Sequence, residues 1–389
     1  MGKKVKFGII GVGNMGAAHL RSFFQGKVEN GYVGAIADCD PARLEAAKKE
    51  CPGDYGCYAS GEELIRKSDV DAVIVATPHY SHPELCIQAL KNGKHALSEK
   101  PVGVYTKQVK ELNAAAEKSD KLFTMMFNQR TNPLYQKMRA LVKDGVVGTI
   151  KRVHWQITDW YRSQSYYDSG SWRATWAGEG GGVLFNQCPH QLDLLQWITG
   201  MMPKKVRAFC RFGQWHDIEV EDDVTAYLEY GNGATGVFVT CTADTPGTNR
   251  FEILGTKGKL VCENGELRVY RLAQDEREFN ATYKGGFGEP EFTQETVRPE
   301  GENPQHVGIL NNFANAILGT EPLFVHGTEG LQGVILMDAM LLSTWQDRAI
   351  ELPFDDDEYY AELQKRVKNS VKKGGKSVML DTSGTYGSR

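Results

Sequence analysis

The 389-residue chain has no apolar run approaching the roughly 18 residues that a membrane-spanning helix needs. It has neither a C-x-x-C pair nor a Cys/His spacing of the zinc-binding kind, and its eight cysteines (39, 51, 57, 86, 188, 210, 241 and 262) are scattered. Reduced thiols and no metal site are therefore expected. A formal net charge of −4 leaves no broad basic field, which argues against nucleic acid as a partner. No internal repeat is visible. An apolar strand that begins by residue 5 leaves no room for a signal peptide, so a cytoplasmic protein with no membrane contact is expected. The length exceeds one ordinary core and fits two domains.

The first of these announces itself at once. Val5-Lys6-Phe7-Gly8-Ile9-Ile10 reads as a buried strand, followed by Gly11-Val12-Gly13-Asn14-Met15-Gly16 and then by a helix opening at Ala17. This is G-x-G-x-x-G in its strand–turn–helix setting, with Gly11 for the tight turn, Gly13 for close approach of a pyrophosphate and Gly16 for helix–strand packing. The next apolar run, Tyr32 to Ala37, ends in Asp38, a carboxylate placed to hold both adenosine ribose hydroxyls and to repel a 2′-phosphate. The cofactor expected is NAD.

Up to residue 127, short apolar runs alternate with helical patterns (41–50, 62–67, 83–92 and 106–119), which predicts a doubly wound parallel sheet, a Rossmann domain over 1–127. Residues 128–350 read as an α/β substrate domain with a large open, mainly antiparallel sheet. Its β-like segments are 150–161, 205–214, 224–230, 234–241, 250–254, 259–262 and 266–272, and helices are predicted at 133–143, 186–197, 307–318 and 328–348. Residues 351–389, with Lys365, Lys368, Lys372, Lys373 and Lys376, read as a tail of solvated helix fraying into a loose end.

Ligands of a doubly wound sheet bind beyond the carboxyl ends of its strands. Asp38, Thr77-Pro78-His79, Glu99-Lys100-Pro101 and Asn128-Gln129-Arg130 all stand at such ends and so converge on one crevice. Away from bulk water, Lys100 can have a lowered pKa and polarise a carbinol oxygen. Further along, four glycines among residues 178–182 let a backbone pass close to something flat, just before a predicted helix on which Asn186 and His190 share a face. A neutral histidine there can take a hydroxyl proton, and a core histidine on an amphipathic helix with Leu192, Leu195 and Trp197 inward fits the helix equally well. Asp159 to Arg162, Tyr166-Tyr167 and Trp172-Arg173 gather aromatics and arginines, a composition suited to sugar C–H faces and hydroxyls.

Taken together, Gly11 to Gly16, Asp38, Thr77-Pro78 with His82, Glu99-Lys100-Pro101, Asn128-Gln129-Arg130 and the glycine segment ending in His190-Gln191-Leu192-Asp193 resemble the glucose–fructose oxidoreductase / inositol dehydrogenase / MocA (Gfo/Idh/MocA) family over residues 1 to about 350. The resemblance implies an NAD-dependent sugar or polyol dehydrogenase, a homo-oligomer such as a dimer or tetramer, and a sugar, glycoside or cyclitol substrate. It places Lys100 and His190 on either side of the substrate carbinol. It puts Gly11, Gly13, Asn14, Met15, Gly16, Asp38, Thr77, Pro78, His82, Glu99, Lys100 and Asn128 around the cofactor, with Tyr161, Arg162, Trp172, Arg173 and Asn186 on the substrate side. Polyol dehydrogenases of the family commonly carry aspartate where Asn186 stands. That departure shifts the expected substrate from free inositol towards C3 of a hexopyranose. A myo- or scyllo-inositol dehydrogenase, a glycosidase that oxidises its substrate transiently, and a non-catalytic NAD-sensing regulator are the competing readings.

Overall fold

The computed structural model describes residues 2–371; Lys372, Lys373, Lys376 and the segment after them lie outside the described residues. Six parallel strands form the first sheet: β1 (Val5–Ile10), β2 (Gly31–Ala37), β3 (Gly56–Tyr58), β4 (Ala72–Val75), β5 (His95–Ser98) and β6 (Phe123–Met125), in the order β3-β2-β1-β4-β5-β6. Phe7, Ile9, Ile36 and all of β4 are fully buried, as a sheet covered by helices on both faces requires. The order reverses between β1 and β4, and the glycine-rich turn lies at that switch point.

The second sheet has nine strands: β7 (Ile150–Ile157), β8 (Pro203–Phe212), β9 (Glu221–Tyr230), β10 (Thr235–Cys241), β11 (Asn249–Gly255), β12 (Gly258–Glu263), β13 (Glu266–Leu272), β14 (Phe292–Val297) and β15 (Ile350–Glu351). Their order is β14-β13-β12-β11-β7-β10-β9-β8-β15, antiparallel throughout except for the parallel pair β7–β10. On β9, Val224, Ala226 and Leu228 point into the core while Thr225, Tyr227 and Glu229 face outwards. One face is thus covered and the other open.

Several elements depart from the sequence expectation. β3 and β15 have only three and two residues, and β14 is exposed along most of its length, so none carries an apolar pattern to read. Helix Glu276–Thr282 buries no side chain at all. The segment expected to be β over 150–161 leaves the sheet after Ile157. The helix expected over 186–197 is two helices, Val183–Asn186 and Pro189–Thr199, because Pro189 has no N–H to continue a ladder and instead starts the second helix. Beyond residue 350, helix Asp356–Asn369 is no free tail: Tyr359 and Leu363 are fully buried.

The two sheets are tied by a buried ion cluster. Arg130, just past β6, is 1% exposed; its guanidinium reaches Asp193 on helix Pro189–Thr199 through Nε (2.8 Å) and Nη2 (2.6 Å), and Glu329 through Nη1 (2.6 Å). The same plane lies over the rings of Phe127 and Trp197. Helix Gln305–Leu318 returns to the first sheet, where Phe313 meets Phe7 and Asn311 accepts from the Glu29 N–H. Replacing Arg130 with Met strands the Asp193 charge in the interior. A loss of about 3–5 kcal/mol of unfolding free energy is expected, read from urea unfolding of the two proteins side by side.

Candidate active site

The cofactor crevice is built by β1 and the helix after it. Gly11 has φ +86°, and a Cβ there would meet the Ala76 carbonyl at 2.7 Å, so the turn admits only glycine. A Cβ on Gly16 would clash with the Gly11 carbonyl, which fixes how closely helix Asn14–Phe24 sits on the strand. That helix starts at Gly13 with no side-chain cap and no acidic residue in its first turn, leaving the N-terminal N–H groups of the Asn14–Met15–Gly16 turn for a phosphate. Asp38 is 7% exposed; its Oδ2 accepts from the Val12 N–H (2.9 Å) and its Oδ1 from the Asp40 N–H (2.9 Å). The carboxylate therefore stiffens the glycine turn while keeping lone pairs for ribose hydroxyls. These residues fit a bound NAD.

At the ends of β4 and β5 the polar groups are held by one another. Thr77 Oγ1 accepts from the Ser81 hydroxyl (2.7 Å). Both ring nitrogens of His82 face carbonyls, Nδ1 that of Pro101 (2.7 Å) and Nε2 that of Thr77 (2.6 Å). His82 therefore braces the Thr77-Pro78 turn against the Glu99-Lys100-Pro101 turn, and at 1% exposure it acts through those loops. Glu99 is buried on His19 Nε2 (2.7 Å); burial alone would raise its pKa, but the His19 bond and charge, with His306 and Lys100, hold it at about 2. His306, at the start of helix Gln305–Leu318, sets its ring tilted, with its centroid 5.8 Å from that of His19, and burial pushes it down to about 4. Beside it, Gln305 takes φ +51° and accepts from the Asn128 amide.

Lys100 crosses to the second domain, where its Nζ donates to the main-chain oxygen of Asn186 (2.6 Å). Burial lowers its pKa, and Arg173 and Arg162 lower it further against the opposing pull of Glu99 and Glu179. His190 is driven well below the ordinary histidine value by burial and then by the charges of Lys100 and His306, so it is neutral at neutral pH. Its Nδ1 is buried without a partner among the described residues, and its ring lies edge-on to Phe127.

The Asn186 side chain is held on both sides: Oδ1 accepts from the Tyr166 hydroxyl (3.0 Å) and Nδ2 donates to Glu179 Oε1. Tyr166 in turn accepts from Arg173 Nη1 (3.0 Å). Arg162 and Arg173 lie over the ring of Tyr166, Arg162 also over Trp160 and Arg173 over Trp172. The wall thus alternates cations, hydroxyl and aromatic faces.

The structure brings Lys100, Asn186, Arg162, Trp172 and Arg173 into one neighbourhood with Glu99. It leaves Tyr161 53% exposed, and the hydroxyl in the network belongs to Tyr166. Asn186 and His190 do not share a helix face, since the chain breaks between them at Gln187-Cys188. The glycines of 178–182 approach protein, not a flat ligand: a Cβ would clash with the Trp172 backbone at Gly178, Val104 at Gly180, Phe185 at Gly181 and the Glu221 carbonyl at Gly182. Sequence reasoning placed Tyr166 only within an aromatic-rich stretch, and passed over Glu179, His306 and the neighbourhood of His19. Glu179 carried a signal, being the one charged residue inside a glycine run.

Comparison with known proteins matches residues 5–127 to the oxidoreductase family with an NAD-binding Rossmann fold, and residues 135–261 to the GFO/IDH/MocA C-terminal domain. Among similar curated proteins are myo-inositol 2-dehydrogenase of Thermotoga maritima (24% identical, covering 90% of this chain and 98% of that protein) and levoglucosan dehydrogenase of Pseudarthrobacter phenanthrenivorans (26%, covering 90% and 99%). A crystal structure of the WlbA dehydrogenase from Bordetella pertussis in complex with NADH and UDP-GlcNAcA superposes with a TM-score of 0.76 at 25% identity, covering 91% of this chain and 99% of that one. Among the described residues no helix is long and apolar enough to cross a membrane, and no cluster of His, Cys, Asp and Glu is arranged to hold a metal.

Two outcomes follow from this geometry. Asp38→Ala removes the acceptor of the Val12 and Asp40 N–H groups that stiffens the glycine turn, so the NAD dissociation constant should rise about tenfold or more, measured by quenching of protein fluorescence. Between pH 6.5 and 4 the unfolded chain takes up a proton that folded His306 refuses, so stability present at neutral pH drains away as pH falls through that window. His306→Gln should flatten this slope in urea unfolding series run from pH 7 to 4.

Proposed function

The chain belongs to the Gfo/Idh/MocA oxidoreductase family and is an NAD-dependent oxidoreductase, and within that family we propose that it transfers hydride between nicotinamide and a secondary hydroxyl of a sugar or glycoside, C3 of a hexopyranose in particular. The observation that carries this reading is the wall around Lys100. An amide at Asn186, a phenol at Tyr166 and guanidinium groups stacked on aromatic rings offer hydrogen bonds to several hydroxyls and flat faces to ring C–H groups. Support also comes from relatives whose own names or bound ligands are sugars, levoglucosan and UDP-GlcNAcA.

Bound NAD supplies the hydride acceptor. The chain's own residues manage the proton. His190, neutral and a weak base in its buried setting, cannot retain a proton at neutral pH, so the hydroxyl proton passes to Lys100 Nζ in its neutral amine form, which the lowered pKa makes accessible, and Lys100 leaves the step as the ammonium. Lys100 is held for this by the Asn186 carbonyl, and its N–H groups stabilise negative charge developing on the carbinol oxygen. The C–H hydride and the O–H proton leave together as a pair, and a ketone remains. Asn186 and His190 orient the neighbouring hydroxyls.

NADH formation followed by absorbance against hexoses, glycosides, nucleotide sugars and free cyclitols tests the substrate class; activity confined to cyclitols would replace this reading with an inositol dehydrogenase. Lys100→Met is expected to lower kcat by about 10²–10⁴-fold while NAD still binds in a fluorescence titration. Unchanged turnover would remove Lys100 from the chemistry.

A further inference from the structure

We infer that Glu179 is a positioning residue that favours the protonated form of Lys100, its negative charge acting through space across Asn186, whose side chain it holds and whose main-chain carbonyl receives Lys100. The inference rests on the proton role given to Lys100 above, and its geometry is independent of any substrate. Glu179 is 1% exposed, and each carboxylate oxygen has a partner: Oε1 accepts from Asn186 Nδ2, and Oε2 from the Ala174 N–H at 2.6 Å. Arg173 Nη1 stands 3.9 Å from Oε1. Asn186, gripped in this way, presents its carbonyl to Lys100 Nζ at 2.6 Å. One residue therefore links the carboxylate and the ammonium, through its side chain on one side and its main chain on the other.

The charge balance around the pair gives Glu179 its weight. Lys100 is faced by Glu99 at its own strand end and by Arg162, Arg173 and Glu179 of the second domain, and it bears on His79, His190 and His306. Two carboxylates thus oppose two guanidinium groups. Glu99, the stronger of the two pulls on Lys100, stands on the first-domain side paired with His19, and Glu179 is the carboxylate on the second-domain side. Burial pushes Glu179 up, while Arg173, the Ala174 N–H, Asn186 and Lys100 favour its ionised form; Glu221 is itself pushed up to about 8, chiefly by burial, and so adds little opposing charge at neutral pH. The position is also fixed mechanically. Its flanking glycines abut Trp172 and Val104, and the Glu179 main-chain oxygen lies 3.1 Å from His79 Nδ1.

The test reads Lys100 directly in the intact protein. Competitive labelling with acetic anhydride across pH 6–11, quantified for the Lys100 peptide by mass spectrometry, gives its titration midpoint without a sugar present. Glu179→Gln should lower that midpoint by roughly one pH unit. The double variant Glu179→Gln with Asn186→Asp, which moves the carboxylate one hydrogen bond closer, should bring it back to the wild-type value or above. Glu179→Asp, which keeps the charge and shortens the reach, should stay with wild type and serves if the Gln variant does not fold. An unmoved midpoint in Glu179→Gln, a double variant that stays low, or an Asp variant that falls as far as Gln would each overturn the inference. A protein that oxidises no sugar would sink the functional reading and leave this measurement standing.

Discussion

A guanidinium group removed from water holds the two halves of the site in register. Arg130 leaves the carboxyl edge of the first sheet and grips Asp193, which lies one turn after His190 on the helix of the second domain. The bidentate fork fixes orientation as well as distance, and the rings of Phe127 and Trp197 close over its faces. The proposed site hangs from this joint: the strand ends carry Lys100 and Glu99, and the helix carries His190. A hinge between the halves would have to break a charge pair in a dry interior, so the crevice is a rigid assembly along this seam.

Within that frame the site is organised by which groups carry charge. Histidines 79, 190 and 306 are kept neutral by burial, while Glu99 stays ionised against His19. Low local polarity strengthens each of these interactions, and it also makes each one intolerant of a missing partner.

Much of this was legible in the sequence because the first domain speaks through short motifs with fixed geometry. Gly11 and Gly16 form the tight turn and the close helix–strand contact that their spacing announced, and Lys100, Thr77 and Asn128 stand at strand ends as the parallel-sheet pattern placed them. What stayed hidden depends on long-range packing. His82 looked like a cofactor contact, and only the carbonyls of Pro101 and Thr77 reveal a brace. Asn186 and His190 have helical spacing, yet Pro189 starts a new helix between them. Glu179 joins the site from a glycine turn ahead of helix Val183–Asn186, and His306 from more than a hundred residues away, separations over which no periodicity speaks.

The glycine segment has a bearing on how this protein can diversify. Four positions of 178–182 press against Trp172, Val104, Phe185 and the Glu221 carbonyl, so no side chain can be added there without moving the wall itself. New substrate preferences must therefore arise elsewhere, on the stretch from Trp160 to Arg173, where Tyr161 stands in solvent and the arginines lie on replaceable rings. The catalytic floor is closed to variation by sterics, and the rim above it is open. Selection for a different substrate would leave its record in the rim.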